Sequence, residues 1–451
     1  MSKTRKAPPG ASMQILRPDA AGIDVGAEEI FVAVPEGRDR QAVRRFPTFT
    51  ADLEQMANWL CQCRITTIAM ESTGVYWIPV AQVLEQRGFE VLLVDAREIK
   101  KVPGRKSDVE DCQWIQVVHS LGLLSACFRP PKEIDALRSL RRHREGLVET
   151  ASQQMLHMQK ALDQMNVQIH HVLSDLTGVT GLAILDAILA GERDPLALAR
   201  LRNYKVKASE EVICKALEGN WRSEHLFALS QSLASYRHFQ KLIAEADVEM
   251  EQEMQRLLTQ NPERTRPPKS NKRTAPKANH NAPRFDIRTE AYRVAGVDLT
   301  EVPGISTATA FTILTETGPN LERFSSPSAF ASWTMLCPNH QISGGKVLSR
   351  RSRPGKNRVG IALRLGAQAL HHEKGYLGNL FRRFKARMGA PKAITAMAHK
   401  LARIVYHLLR TKQPYDETVF RRQEEVLRQR RENSIRASAK QLGYMLVPIA
   451  P

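Results

Sequence analysis

Two acidic residues lie within or at the end of apolar runs, where a carboxylate needs a compensating partner. Asp24 interrupts the apolar run 21–25, and Glu71 closes the run 66–71 before a Ser-Thr-Gly loop. Both runs have the length and composition of buried strands. An ionised carboxylate on a buried strand is unfavourable unless a cation lies opposite it. These two positions therefore suggest a site that binds a positively charged ligand.

A second pair of acids opens a segment with helical spacing. Asp108 and Asp111 stand three residues apart, and Ser107 and Glu110 form a capping-box pattern around them. Residues at i and i+3 share one face of a helix, so both aspartates lie on the same side. The helix dipole alone also favours acids in a first turn, which leaves a purely structural role open. Together with the two strand acids, the pair could supply hard oxygen ligands for Mg²⁺ ions about 4 Å apart, an arrangement suited to phosphodiester chemistry.

A serine in the second half of the chain precedes two glycines and a lysine. Ser343, Gly344, Gly345 and Lys346 predict a turn that exposes the serine hydroxyl beside a cation. Closely spaced basic residues there form a strip that could bind phosphate groups: Lys346, Arg350, Arg351, Arg353, Lys356 and Arg358. A hairpin on a nucleic-acid-binding surface and a nucleophilic serine are both open, and the spacing alone favours the hairpin.

The segment 300–314 has the pattern of a helix-hairpin-helix. Pro303 and Gly304 predict its tight turn, and the helix that follows would present its N-terminal amides to a phosphate. Such a motif contacts the nucleic-acid backbone rather than the bases. An ordinary helical turn is the alternative.

The elements that must position the acids alternate between strands and helices. Strands are predicted at 21–26, 30–34, 44–50, 66–71 and 89–94. Helices are predicted at 51–63, 75–87 and 107–121. This order, a hairpin and third strand followed by alternating helices and strands, predicts an α/β sandwich with a mixed sheet.

Residues 130–260 predict long helices instead. Apolar residues recur at steps of three and four from Leu147 to Leu176, and less strictly from Leu226 to Leu257. A helical hairpin within one chain and a coiled-coil spine between two chains both explain this spacing, and we expect both. The stretch 262–284 is rich in proline and basic residues, so it cannot bury a core and is predicted to be a linker.

The composition points to a polyanionic partner. The 451 residues carry 66 Lys and Arg against 47 Asp and Glu, which gives a formal net charge of +19 and a pI near 9.9. No apolar run reaches the about 18 residues of a membrane span, and the basic N-terminus lacks the apolar core of a secretory signal. Six cysteines without CxxC pairs argue against a disulfide scaffold or a zinc ribbon. We therefore expect a cytoplasmic, nucleoid-associated protein that binds nucleic acid and no membrane.

The motifs around the acids resemble those of a known family. Ile23-Asp-Val-Gly, Met70-Glu-Ser-Thr-Gly and Lys106-Ser-Asp-Val-Glu-Asp are similar to the signature of the DEDD insertion-sequence transposases, which include Piv-type invertases and bridge-RNA-guided recombinases. The resemblance covers residues 18–128 and implies an RNase H-like (RuvC-like) domain. It also implies that the four acids form one metal-binding quartet for Mg²⁺ or Mn²⁺: Asp24, Glu71, Asp108 and Asp111.

The second half of the chain resembles the C-terminal transposase domain of the same family over residues 296–410. The resemblance makes Ser343 the nucleophile that becomes joined to DNA, ahead of the nearby Ser349 and Ser352. Lys346 and Arg350 would stabilise the charge on phosphorus, and nucleic-acid contacts are expected from Lys106, the turn at 303–304, the two glycines after the serine and the basic strip. The implied partners are donor and target DNA, a bridge RNA that selects the target by base pairing, and further copies of the chain, as a dimer or a tetramer.

The predicted fold is α/β plus all-α. We expect a basic tail (1–17), a RuvC-like domain (18–128), a helical coiled-coil region (129–261), a linker (262–290), a C-terminal transposase domain with a helix-hairpin-helix (291–412) and a charged helical tail (413–451). The predicted function is a transposase that cuts and rejoins DNA through a metal-assisted phosphoserine. A RuvC-like junction nuclease that uses water and a non-catalytic nucleic-acid-binding regulator are the alternatives.

Overall fold

The computed structural model describes residues 14–72, 74–95, 108–259, 281–339, 341–349, 351–352 and 355–445. The chain divides into two compact units, Met1–Arg129 and Pro130–Pro451. Several predictions fall outside the described residues: the basic tail up to residue 13, Lys106, the Ser107 cap, Arg350, Arg353 and residues 262–280 of the predicted linker. Asp108 is described as part of a helix, but its side chain is not.

The first unit contains a five-stranded mixed sheet. Its elements are β1 (Ala20–Val25), β2 (Glu29–Ala33), β3 (Val43–Pro47), α1 (Thr50–Gln62), β4 (Thr67–Glu71), α2 (Trp77–Gln86), β5 (Glu90–Val94) and α3 (Asp108–Ser120). The strand order is β3-β2-β1-β4-β5, with β2 antiparallel to both its neighbours and β4 and β5 parallel to β1. The prediction of an α/β domain is therefore confirmed, and its architecture fits an RNase H-like fold.

The two faces of this sheet are covered differently. On one face, Ile23, Ile68 and Met70 are fully buried with apolar residues of α1 and α2, such as Met56 and Leu84. The spacing that predicted α1 reflects this contact, since its buried residues recur at steps of three and four. The other face is covered by α3.

Glycine at position 22 allows α3 to lie directly against β1. A Cβ atom at Gly22 would be 2.2 Å from the backbone nitrogen of Gln116 and 2.4 Å from the carbonyl oxygen of Cys112. Real Cβ atoms do not approach other atoms so closely, so any side chain here would push the helix off the sheet.

The second unit begins with two long helices that pair within the chain. These are α4 (Lys132–Gln164) and α9 (Ser223–Thr259), and between them lie four short helices: α5 (Ile169–Val172), α6 (Val179–Leu189), α7 (Pro195–Ala199) and α8 (Glu210–Leu217). Arg144 on α4 is ion-paired to Asp247 on α9 at 2.5 Å, while the Asn220 amide just before α9 donates to Met165 O just after α4. The two long helices therefore run antiparallel.

The apolar residues predicted to recur from Leu147 to Leu176 contribute to this helical pairing, but they do not all lie on one helix. Met158 and Leu162 on α4 are fully buried in a core with Leu229 and Leu233 of α9. The pattern predicted up to Leu176 is interrupted because α4 ends at Gln164, and Asn166 takes a left-handed backbone conformation with φ 57°. A hairpin within the chain is thus observed, and the spine between two chains stays a prediction.

The remaining elements of the second unit are mainly helical. They are α10 (Ile287–Ala295), α11 (Thr307–Thr317), α12 (Pro327–Trp333), β6 (Gln341–Ser343), β7 (Lys346–Ser349), α13 (Arg358–Ala369), α14 (Tyr376–Met388), α15 (Ala390–Thr411) and α16 (Arg421–Gln441), with short 3-10 helices at Leu299–Glu301, Leu370–His372 and Glu417–Phe420. Among the described residues, no helix combines the length and apolarity needed to cross a lipid bilayer.

Candidate active site

Asp24 and Glu71 lie side by side at one edge of the sheet. The parallel register pairs Ile23 of β1 with Met70 of β4, so the next residues of the two strands are neighbours. Ile23 and Met70 are buried against α1 and α2, and side chains alternate along a strand. The two carboxylates therefore lie on the opposite face, the one covered by α3, and both are half-buried.

Two polar contacts fix the direction of α3 across that face. Gln116 Nε2 donates to the carbonyl oxygen of Ala20 at 3.3 Å, and His119 Nε2 lies 3.0 Å from Thr67 Oγ1. The carbonyl oxygen of Ser120 accepts from the amides of Leu16 and Arg17 just before β1, whereas that of Cys112 lies against Gly22 inside the strand, so α3 runs antiparallel to β1. From Gln116 back to Asp108 a helix rises about 12 Å, and from Ala20 to residue 24 a strand rises about 13 Å. The first turn of α3 is thereby brought to the level of the two strand acids.

Cys112 is buried where α3 packs against β1, with its carbonyl oxygen against Gly22. Burial raises the pKa of the Cys112 thiol to about 12, and the negative charges of Asp24 and Asp111 add to the rise. Both carboxylates are therefore close enough to the same buried atom to oppose its ionisation. Asp111 is half-buried, and Asp108 lies one turn earlier on the same helix. The structure thus brings Asp24, Glu71 and Asp111 to one edge and places the backbone of Asp108 beside them.

The chemistry of these donors suits a hard divalent cation. All four residues offer carboxylate oxygens, the ligands that Mg²⁺ and Mn²⁺ prefer over softer metals. Three of them come from two neighbouring strands and the first turn of α3, which are rigid elements held by the contacts of Gln116 and His119. The residues present therefore fit a divalent metal by the type of their donor atoms, whereas the carboxylates of Asp24, Glu71 and Asp111 do not all lie within 4.8 Å of one another in this structure. Gly22, Gln116 and His119 position the site and were missed by the sequence reasoning, although a glycine inside a strand signals close backbone approach.

Ser343 is the last residue of β6, the first strand of a short β-hairpin in the second unit. It pairs with Lys346 across the turn formed by Gly344 and Gly345, whose φ angles are +55° and +76°. Positive φ at both central residues is the conformation that glycine favours and that matches the twist of a hairpin. All four residues are exposed. The hairpin expected from the Gly-Gly pair is therefore present, with the serine hydroxyl accessible beside a lysine.

The described residues of the basic strip are all exposed: Lys346, Arg351, Lys356 and Arg358. Arg358 also donates to Glu145 Oε2 at 2.5 Å and lies 3.8 Å from Glu316, so a phosphate would share it with two carboxylates. The competing serines are both half-buried, and Ser349 Oγ accepts from the Arg351 amide at 3.3 Å.

The turn at Pro303 and Gly304 is present and packs tightly on one side. Gly304 has φ +86°, and a Cβ there would lie 2.4 Å from the carbonyl oxygen of Gly366 on α13. The helix that follows is capped by Ser306, whose Oγ accepts from the Thr309 amide at 3.1 Å. A phosphate could reach this turn only from the side away from α13, and backbone binding stays a prediction.

Two family models match the chain. A transposase model, DEDD_Tnp_IS110, matches residues 21–167, and a model described as the transposase IS116/IS110/IS902 family matches residues 298–380. The first match contains all four acids, and the second contains Ser343, the Pro303-Gly304 turn and the basic strip. No curated protein matches the chain.

Proposed function

Because the chain belongs to the IS110 family of DEDD transposases, we propose that it cuts and rejoins DNA through a covalent bond between Ser343 and a DNA phosphate, assisted by a divalent metal. Transposases of this family act on DNA, and DEDD-type domains generally use divalent metals. The observation that carries the proposal is the common position of Asp24, Glu71 and Asp111 at one sheet edge, at the level where α3 begins.

The acids have a defined task in this proposal. Asp24, Glu71, Asp108 and Asp111 would hold Mg²⁺ or Mn²⁺, which polarises the scissile phosphate when it is bound. The rigid attachment of α3 to β1 keeps the two aspartates of the helix at the level of the strand acids. Ordered ligands of this kind lose little freedom on binding, so they favour the charged transition state.

The serine step conserves the phosphodiester bond energy. The Ser343 oxygen forms a bond to phosphorus while the bond from phosphorus to one deoxyribose oxygen breaks. The serine proton passes to a base, and the departing oxygen takes up a proton as a free hydroxyl. Attack on the phosphoserine by the hydroxyl of another DNA end reverses these changes and releases the serine. Lys346, directly opposite in the hairpin, would stabilise the charge on the phosphate oxygens.

Partners follow from the family resemblance and the charge. The net charge of +19 suits the binding of several nucleic-acid strands. We propose that a bridge RNA selects the target by base pairing and that the protein holds it through its backbone. We further propose that acids and serine from different copies of the chain complete each site, in a dimer or a tetramer.

Trapping of the covalent intermediate tests the proposal. The full-length protein would be incubated with Mg²⁺ and a plasmid that carries the DNA flanking its own reading frame, with the RNA transcribed from it. Denaturing gels should show a protein–DNA adduct for the wild type and for Ser349→Ala, and none for Ser343→Ala. A Ser343→Ala protein that cuts as fast as the wild type would instead indicate a water-using nuclease.

The acids are tested in the same assay. Asp111→Asn should slow adduct formation at least about 100-fold, the usual effect of losing one strong electrostatic contact, while DNA binding is kept. Glu110→Gln, an exposed neighbour on the same helix, serves as the matched control and should react normally. Wild-type protein that binds DNA but never cuts it, with RNA and metal present, would favour the regulator.

A further inference from the structure

A second group of potential metal ligands lies in the other unit, at the end of the helical hairpin. Asp163 is in the last turn of α4, and His170 and His171 are in α5. Each of the three side chains has one potential ligand atom that lies within 4.8 Å of those of the other two. We call these three residues the tip cluster. Among the described residues, it is the one group of at least three His, Cys, Asp or Glu side chains that meets this distance.

One pair of donor atoms in the tip cluster already has the spacing found in a coordination sphere, and the third donor lies within 4.8 Å of both. His170 Nε2 lies 3.3 Å from Asp163 Oδ1, and the rings of His170 and His171 have centroids 4.1 Å apart. Metal–ligand bonds of about 2.0–2.2 Å in a tetrahedral site separate neighbouring donor atoms by roughly 3.3 Å. Nδ1 of His170 is enclosed by the protein, which leaves Nε2 as the accessible nitrogen of that ring.

The backbone that carries these ligands is firmly held. The Gln168 amide between them donates to Ala216 O at 2.8 Å, and Met165 O accepts from the Asn220 amide at 2.7 Å. Met165 and Ile169 are fully buried in the hairpin core. The site would therefore be largely organised before a metal arrives, which reduces the conformational entropy lost on binding.

The donor set selects the class of metal. Two imidazole nitrogens and one carboxylate suit a borderline first-row transition ion, whereas Mg²⁺ and Ca²⁺ prefer oxygen ligands. Asp163 and His171 are exposed, so water can supply the fourth ligand. We propose that the tip cluster binds one Zn²⁺ ion, which ties the end of α4 to α5.

Zinc titration of the full-length protein tests this proposal. Metal is first removed with a chelator, and Zn²⁺ is then added in the presence of excess Mg²⁺, which competes for the carboxylate quartet. Bound zinc is counted after gel filtration for the wild type, Asp163→Asn, His171→Asn and His157→Asn. His157 is an exposed histidine on α4 outside the tip cluster and is the matched control.

The wild type and His157→Asn should bind one more zinc ion per chain than the two cluster variants. Loss of a direct ligand should weaken that site by more than the about 10- to 100-fold seen when an outer partner of a metal ligand is lost. Zinc should also raise the melting temperature of the wild type and not of His171→Asn. Because both substituted side chains are exposed, the metal-free proteins should melt alike. Equal zinc content and equal melting shifts in all four proteins would overturn the proposal.

Discussion

Replacing Glu316 by glutamine should destabilise the second unit by about 3 kcal/mol, because it removes the buried acid at the centre of an arginine cluster. The Glu316 side chain is 5% exposed. Its oxygens accept from Arg142 Nη2 at 2.7 Å and Arg138 Nε at 3.1 Å, and Arg141 lies 3.5 Å away. These contacts join α11 to α4, so the acid links the helical hairpin to the C-terminal helices of the same unit.

The magnitude follows from what the substitution leaves behind. Removing one partner of a buried ion pair costs about 3–5 kcal/mol, since the other charge stays buried without compensation. The Arg141 side chain is 8% exposed, so it would stay buried after losing the charge of Glu316. Glu145 still contacts Arg141, and the amide oxygen of the introduced glutamine could still accept a hydrogen bond, so we expect the lower end of the range.

The effect should depend on pH in a defined direction. Burial raises the pKa of Glu316, but hydrogen bonds and charges from Arg142 and Arg138 outweigh it, so the pKa lies below its ordinary value of 4.5. The folded protein therefore binds this proton less readily than the unfolded chain. The stability contributed by the carboxylate is fully present above pH 4.5 and is lost as the pH falls towards the folded pKa. The difference between wild type and variant should shrink over that range.

Hydrogen exchange measures this difference locally. The opening free energy of the α11 amides would be compared between wild type, Glu316→Gln and Glu322→Gln, the last being an exposed glutamate hydrogen-bonded by Asn320. The exposed control should change stability by at most about 0.5 kcal/mol. A loss below about 1 kcal/mol for Glu316→Gln, or one that stays constant below pH 4.5, would show that the carboxylate does not hold the arginine cluster together.

Three further predictions concern the carboxylate site of the first unit and the serine hairpin of the second. Gly22→Ala should destabilise the first unit by about 1–3 kcal/mol and abolish adduct formation while DNA binding is kept, because its Cβ would lie 2.2 Å from the Gln116 nitrogen and displace α3. Unfolding and adduct assays would measure the two effects. Burial and the charge of a nearby arginine lower the pKa of His119 to about 4, so the first unit should lose stability as the pH falls from 6.5 towards 4. Hydrogen exchange of the β1 amides should show this loss, and His119→Gln should remove the dependence of stability on pH over that range. Replacing both Gly344 and Gly345 by alanine should strain the turn by about 1–2 kcal/mol per residue and lower the adduct yield, while the melting of the first unit is unchanged.

Local sequence determined the elements and the candidate residues. The strands around Asp24 and Glu71 were predicted within one or two residues, because strands buried on both faces leave short, nearly continuous apolar runs in the sequence. The hairpin at Ser343 was predicted because adjacent glycines permit positive φ at both turn positions. The family was identified from short motifs that these local elements carry, and that identification is confirmed.

Which of these elements meet depends on how they pack in three dimensions. Nothing in the spacing of α3 indicates that it runs antiparallel to β1 or that Gly22 receives its backbone. The ion pair of Arg358 with Glu145, a residue 213 positions earlier, was not expected from the sequence either, and the contact of Arg358 with phosphate stays a prediction. The tip cluster likewise joins a helix end to a separate short helix after a left-handed turn. Periodicity records what each residue's own element buries, whereas these contacts depend on how separate elements pack, which no local pattern encodes.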